Sequence, residues 1–122
     1  MSVQDVKFCE LVGKPEQYRN KTFRTEAIFY ADHENTALYS TECLEAGKYV
    51  WTDFDPSYQY SNESVKQKFN ELRCPQRPCP SGKAKLSVVG RFEGPIQQGY
   101  GHLNAYRFRF VIMRIISAEA VS

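Results

Sequence analysis

The sequence predicts a mainly β domain with one or two short helices and five strands, in the order β-β-β-α-β-β. Runs of alternating apolar and polar residues, rich in β-branched and aromatic side chains, recur along the chain. Turn-forming residues separate these runs. One segment, residues 62–72, instead repeats its apolar positions at helical spacing. With 122 residues, of which 42% are hydrophobic and 25% charged, the chain has the composition of a single globular domain.

The first elements are a short helix and two strands. Residues 3–11 space their apolar positions loosely as one helical face, and Pro15 ends that pattern. Residues 15–20 have turn-forming chemistry. Strict alternation predicts the first strand over Lys21–Ala31, and a short run predicts the second over Thr36–Ser40.

The middle of the chain changes from strand to helix periodicity. After a turn at Gly47, Lys48–Phe54 is rich in β-formers and predicts the third strand, which Asp55, Pro56 and Ser57 should end. Within Asn62–Leu72 the apolar residues Val65, Phe69 and Leu72 follow helical spacing, and Asn62 can cap the first turn. This segment is predicted to be a helix.

Two further strands complete the pattern. Three prolines keep Arg73–Gly82 out of a helix, so this segment is a loop. Lys83–Glu93 predicts the fourth strand, in which Gly90 suits a bend. A loop over Gly94–His102 precedes the fifth strand, predicted over Ala105–Ser117.

A helix between the third and fourth of five strands is the arrangement of the OB fold, a five-stranded Greek-key barrel. We therefore divide a single OB-like domain, residues 1–122, into an opening helix and turn at 1–20 and a barrel at 21–117. OB folds bind ligands on strands two and three and on the loops joining strands one to two and four to five. The candidate binding residues on those elements are Tyr39, Tyr49, Trp51, His33, His102 and Tyr100.

Charge decides between the partners that such a surface suits. Aromatic rings can stack nucleic-acid bases, but residues 26–55 carry seven acids against one base, Lys48, which would repel phosphates. Residues 66–114 carry ten bases against Glu71 and Glu93. A bipolar surface favours an oriented protein partner, so the leading hypothesis is a non-enzymatic binding module that engages a protein, with an inhibitor or immunity protein as one form of it. A single-stranded nucleic-acid-binding domain is the alternative.

The two histidines allow a third hypothesis. His33 and His102, with Asp32 and Glu34 nearby in sequence, have side chains that bind metals, so a metal-dependent enzyme at these loops is a further alternative. A solvated or turn-fixing role explains both histidines more simply. The sequence shows neither a nucleophile with its base nor a phosphate-binding loop, and we predict no catalytic residue, no cofactor and no resident metal.

Four cysteines bear on the cellular compartment. A Cys9–Cys43 disulfide would clamp the opening helix to the strands, and a Cys74–Cys79 disulfide would close the proline-rich loop. Free thiols or a four-thiolate zinc site are the alternatives, although zinc usually takes two closely spaced pairs. The first residues lack the features of a secretion signal, so the chain is either cytoplasmic or a mature periplasmic or secreted form. No apolar run is long enough to span a membrane.

Three segments carry a resemblance to a known family. Phe8–Arg24 (FCELVGKPEQYRNKTFR), Val89–Pro95 (VGRFEGP) and Gly99–Leu103 (GYGHL) resemble a family of small bacterial OB-like β-barrel proteins of unknown function. The resemblance covers most of the chain. Many such proteins carry signal peptides, which favours disulfides and a periplasmic or secreted location. It marks Cys9, Cys43 and His102 as family-like and structural in role, and leaves the oligomeric state open.

The chain departs from the pattern of that family in two places. Asn20 and Lys21 stand where a glycine-lysine turn is commoner, and the Cys74–Cys79 loop is particular to this chain. The second disulfide is therefore less firmly implied than the first.

Overall fold

A computed structural model describes residues 3–44, 49–76 and 79–121. Within these ranges the chain is mainly β, as predicted, with five strands in one sheet and three α-helices rather than one or two. The strands are β1 Lys21–Asp32, β2 Thr36–Tyr39, β3 Val50–Tyr60, β4 Ser81–Glu93 and β5 Arg109–Glu119; the helices are α1 Phe8–Gly13, α2 Pro15–Tyr18 and α3 Glu63–Arg73. The predicted order, with a helix between the third and fourth strands, is confirmed.

The strands pair in a closed cycle, β1-β2-β3-β5-β4 and back to β1. Neighbours are antiparallel except for β3 and β5, which run parallel. The β4–β5 register shifts between Val89 and Gly90, at the glycine predicted to allow a bend. A side chain on Gly90 would overlap the Phe110 ring and the Val111 carbonyl, so the close approach of these strands requires glycine there.

The closed sheet surrounds an apolar core. Alternate residues of β1, including Phe23 and Phe29, are buried inside, as the alternation predicted. Helix α3 inserts Phe69 into the core, with its ring 5.2 Å from that of Phe29. Asn62 caps α3 by accepting a hydrogen bond from the Val65 N–H at 3.0 Å, so the predicted helix is confirmed with its cap.

The predicted N-terminal helix over residues 3–11 is wrong in its first half. The Val6 N–H donates to the Arg24 carbonyl, and the Arg24 N–H donates to the Gln4 carbonyl, so this segment runs extended beside β1. The edge of β1 satisfies its backbone groups, and the helix begins only at Phe8. The turn predicted over 15–20 contains α2, because Pro15 at a first helical position lacks only a donor that the helix does not use.

The third and fifth strands also differ from prediction. β3 does not end at Asp55 but continues through Pro56, where its register with β5 shifts between Phe54 and Gln59. Because the ladder is interrupted there, the missing N–H of proline removes no bond. β5 begins at Arg109, so the preceding loop spans residues 94–108.

Some predicted features fall outside the described residues. These are the Gly47 turn, the strand start at Lys48, and Arg77 and Pro78 of the loop predicted over Arg73–Gly82.

Both predicted cysteine pairs are at disulfide distance. The Cα atoms of Cys9 and Cys43 are 5.9 Å apart, and those of Cys74 and Cys79 are 5.4 Å apart. The first pair ties α1 to the turn after β2, as the sequence suggested. Among the described helices, none is long and apolar enough to cross a membrane.

Candidate functional site

The β4–β5 loop, residues 94–108, lies across the outer face of β3. The ring of Tyr106 is 5.3 Å from that of Trp51. Gly101, with φ +73, packs so closely on the Trp51 indole that an added Cβ would overlap the ring. At the end of the loop, the backbone N–H of Trp51 in β3 donates to the Phe108 carbonyl at 3.0 Å. The loop therefore covers part of β3, the strand that carries the candidate binding residue Trp51.

Backbone bonds give this loop a fixed shape. Tyr100 and Tyr106 exchange two N–H to carbonyl bonds, at 2.7 and 3.1 Å. Between them the chain turns tightly, and the Asn104 N–H donates to the Gly101 carbonyl at 3.0 Å. Leu103 and Asn104 have left-handed backbones, with φ of 56° and 53°. Leu103 stands at the tip of the turn and is 84% exposed.

Two side-chain contacts join the β4–β5 loop to the β1–β2 loop, residues 33–35. His102 Nε2 lies 3.1 Å from Glu34 Oε2, and the Tyr106 hydroxyl donates to Asn35 Oδ1 at 2.8 Å. Burial raises the pKa of Tyr106, so its hydroxyl keeps its proton and remains a donor. The β1–β2 and β4–β5 loops thus form one continuous surface.

Asp32 holds the β1–β2 loop in shape. Its carboxylate accepts hydrogen bonds from the N–H groups of Glu34 and Asn35, at 2.9 and 2.7 Å, and from the Tyr30 hydroxyl at 2.8 Å. These bonds, of which that from the Glu34 N–H contributes most, lower the pKa of Asp32 to about 2. The carboxylate is therefore charged throughout the neutral range.

A charged cluster supports the base of the β4–β5 loop. Arg109 donates to Glu93 through Nε at 2.8 Å and contacts Asp53 through Nη1 at 3.3 Å, and Arg91 Nε is 2.6 Å from Glu93. The Arg109 guanidinium also lies 5.3 Å from the Tyr100 ring centre. Burial raises the pKa of Glu93, but the hydrogen bonds from Arg91 and Arg109 outweigh it, so the net shift is downward. Two of the ten basic residues in 66–114 are therefore paired with neighbouring carboxylates.

The three rings predicted as a binding surface are divided. Tyr39 is nearly buried on β2, with its ring 5.1 Å from that of the exposed Tyr49. Trp51 is covered by the β4–β5 loop and donates its indole N–H to Asp53 at 3.0 Å. The rings do not form a single open platform. Tyr100 is half-buried beside Arg109.

The two histidines lie on the expected loops. His102 contacts Glu34, whereas His33 lines a shallow cavity of about 330 Å³ with Tyr30, Glu34 and Ser81. In the part of the chain that the structure describes, no three His, Cys, Asp or Glu side chains gather in a group that could hold a metal ion. The structure thus brings together the loops but assembles no metal centre from these residues.

A groove of about 960 Å³ lies away from this surface, between residues 5–9, β1 and the end of β5. Of the predicted site residues, Cys9 and Tyr39 line it. Its floor includes Lys85 and Glu119, which face each other in register on β4 and β5.

Several residues of the loop surface were not predicted. They are Asn35, Asp53, Glu93, Leu103, Tyr106 and Arg109. The only sequence signal was the GYGHL run followed by Tyr106, because two glycines around a tyrosine indicate a strained turn without showing where it packs.

Comparison with known proteins gives no relative: no protein-family model matches the chain, and neither a curated protein nor a solved structure does.

Proposed function

We propose that this protein is an OB-type binding module that acts outside the cytoplasm and engages a protein partner through its β4–β5 loop. The cyclic strand order and the position of α3 between β3 and β4 support the OB classification. The loop surface supports the binding role, since its donors, acceptors and charges are engaged with one another rather than arranged around a reacting group.

One observation carries the proposal: Leu103 is 84% exposed and has a left-handed backbone. That conformation costs about 1–2 kcal/mol for an L-residue with a Cβ. Keeping the side chain in water also forgoes about 1.5–3 kcal/mol that burial of a leucine would contribute. Both costs fall on one residue at the tip of a fastened loop, which is typical of an apolar binding anchor.

The charges around this tip support a protein partner over a nucleic acid. Asp32, Glu34 and Asp53 place carboxylates around the loop, and two guanidiniums of the site, those of Arg91 and Arg109, are already paired with Glu93 and Asp53. The exposed Arg107 is the third guanidinium. A phosphate backbone needs several free cations along its path. The stacking surface expected on Trp51 is also occupied by Gly101.

Two cysteine pairs support a location outside the cytoplasm, because thiols stay reduced in most cytoplasms. Thiol counting on protein purified from its source, before and after denaturation, tests this location. We expect no reactive thiol in either state. Four thiols would place the protein in a reducing compartment.

Affinity capture from an extract of the source cell under oxidising conditions tests the binding role. The baits are the wild type, Leu103→Asn and Leu44→Asn, since Leu44 is also exposed, at 49%, but has an ordinary φ of −82°. We expect one protein to be recovered by the wild type and Leu44→Asn at least ten times more than by Leu103→Asn. Equal recovery by all three baits, or recovery of nothing, contradicts the proposal.

A further inference from the structure

We propose that the partner is a protein that receives Leu103 in an apolar pocket bordered by lysine or arginine side chains. This inference rests on the proposed function and specifies the chemistry of the surface that the loop recognises. Three features of the loop carry it: the fastening, the backbone shape and the charge around the tip.

The contacts that hold the β4–β5 loop also preorganise Leu103 for binding. On one side the loop is held by Gly101 on the Trp51 ring, and on the other by the Tyr106 hydroxyl on Asn35. The paired backbones of Tyr100 and Tyr106 close its base. A loop that is already held in its bound shape loses little conformational entropy on binding, so a single side chain can supply much of the affinity.

The backbone at the tip excludes recognition as an added strand. Leu103 and Asn104 are consecutive left-handed residues, and an extended peptide cannot contain them. Strand addition and binding in an extended, substrate-like form both require a β conformation. The side chain at the tip is therefore recognised by insertion into a pocket.

The charge around the tip specifies the border of that pocket. The ionised groups of the loop and of the side chains joined to it comprise four carboxylates, those of Asp32, Glu34, Asp53 and Glu93, against three guanidiniums, those of Arg91, Arg107 and Arg109. The Glu34 side chain is 64% exposed and lies beside His102, the residue before Leu103. This exposed carboxylate beside the tip is complementary to a lysine or arginine on the partner.

The first test measures binding of the partner recovered by the wild-type bait to Leu103 variants. Leu103→Met conserves volume and should stay within threefold of wild type, whereas Leu103→Ala should weaken binding at least tenfold. Equal losses in the two variants overturn insertion into a pocket. Every variant is first checked for wild-type Trp51 fluorescence, so that a loss reports recognition and not a displaced loop.

The second test separates the charge of the Glu34 side chain from its contact with His102. Glu34→Gln removes the carboxylate but keeps a side chain that can hydrogen-bond to His102, and the control Glu71→Gln removes an exposed carboxylate on α3 instead. We expect Glu34→Gln to weaken binding about five- to tenfold at low salt, and Glu71→Gln to leave it unchanged. Equal effects, or binding that does not depend on salt, overturn the basic border while the protein-binding role stands.

The outcomes distinguish the two proposals. Recovery of no partner overturns both. Vesicles of phosphatidylcholine with phosphatidylglycerol, and self-association in gel filtration, are measured in parallel for the wild type and Leu103→Asn. Leu103-dependent binding to vesicles would mean that Leu103 binds a lipid surface instead. Leu103-dependent self-association would mean that it binds a second copy of the chain.

Discussion

The two faces of β3 are buried by different means. On the inner face Val50 and Thr52 are buried among the core side chains that the closed sheet surrounds. On the outer face Trp51 is half-buried beneath the chain's own β4–β5 loop, and Asp53 is half-buried in contact with Trp51 and Arg109. The inner face is held by apolar contact, and the outer face by hydrogen bonds, ion pairs and glycines that allow close approach.

This difference indicates where specificity and stability lie. Apolar contact inside depends on the alternation of a strand, and many sequences can supply it. The outer arrangement depends on particular donors and acceptors, such as the Tyr106 hydroxyl and Asn35, which are 71 residues apart. A surface that needs such particular partners suits recognition better than general stability.

The largest effect is expected from a change inside. Phe29 is fully buried, with its ring near those of Phe54 and Phe69. Phe29→Ala should reduce the free energy of unfolding by about 3–5 kcal/mol because it leaves a cavity. Urea unfolding measures this loss, and Leu38→Met, which conserves volume at another buried site, should cost less than about 1.5 kcal/mol. Equal losses would mean that packing inside is not specific.

The difference between the inner and outer faces of β3 also explains which features the sequence could predict. The alternation in β1 and the spacing of Val65, Phe69 and Leu72 in α3 identify buried faces from neighbouring residues alone. The course of the β4–β5 loop has no such signal, because Trp51 meets Gly101 and Tyr106 only through tertiary structure. The predicted site therefore included two loops that the structure brings into contact, but it treated Trp51 as open.

Local signals also failed where two structures satisfy the same pattern. The apolar positions of residues 3–8 fit a helix, but the free edge of β1 offers their backbone hydrogen bonds as an extended segment. Pro56 indicated the end of a strand, yet it lies where the ladder between β3 and β5 is already interrupted. Neither circumstance is visible without the neighbouring strand.

The next largest loss of stability should come from disrupting the packing of the β4–β5 loop on the outer face of β3. Gly101→Ala places a Cβ against the Trp51 ring at a residue whose φ is positive. We expect a loss of about 2–4 kcal/mol from overlap and backbone strain, together with a red shift of the fluorescence of Trp51, the chain's one tryptophan. Gly13→Ala is the matched control, since no atom lies within 4 Å of its added Cβ. An unchanged emission spectrum in Gly101→Ala would show that the loop does not cover Trp51.

A smaller effect, of opposite sign, should come from Leu103. Asparagine tolerates the left-handed backbone better than leucine, so Leu103→Asn should stabilise the protein by up to about 1 kcal/mol while losing the partner. Leu44→Asn should give no gain because its φ is ordinary. Thermal unfolding measures both. A destabilised Leu103→Asn would indicate that Leu103 contributes to folding and is not retained for binding.

The smallest effect should distinguish the two faces by pH. Asp32 has a pKa of about 2, lower than that of an unfolded aspartate, because the N–H groups of Glu34 and Asn35 and the Tyr30 hydroxyl favour its charged form. A lowered pKa in the folded state contributes stability that is present above about pH 4 and is lost as the pH falls towards 2. The destabilisation caused by Asp32→Asn, measured as a difference in melting temperature from wild type, should therefore shrink between pH 7 and pH 2. The corresponding difference for Leu38→Met should stay constant, because that substitution inside the sheet changes no titrating group. A constant difference for Asp32→Asn over the same range would mean that the charge of Asp32 does not stabilise the β1–β2 loop, and that this part of the outer surface is held by neutral contacts, as the inner face is.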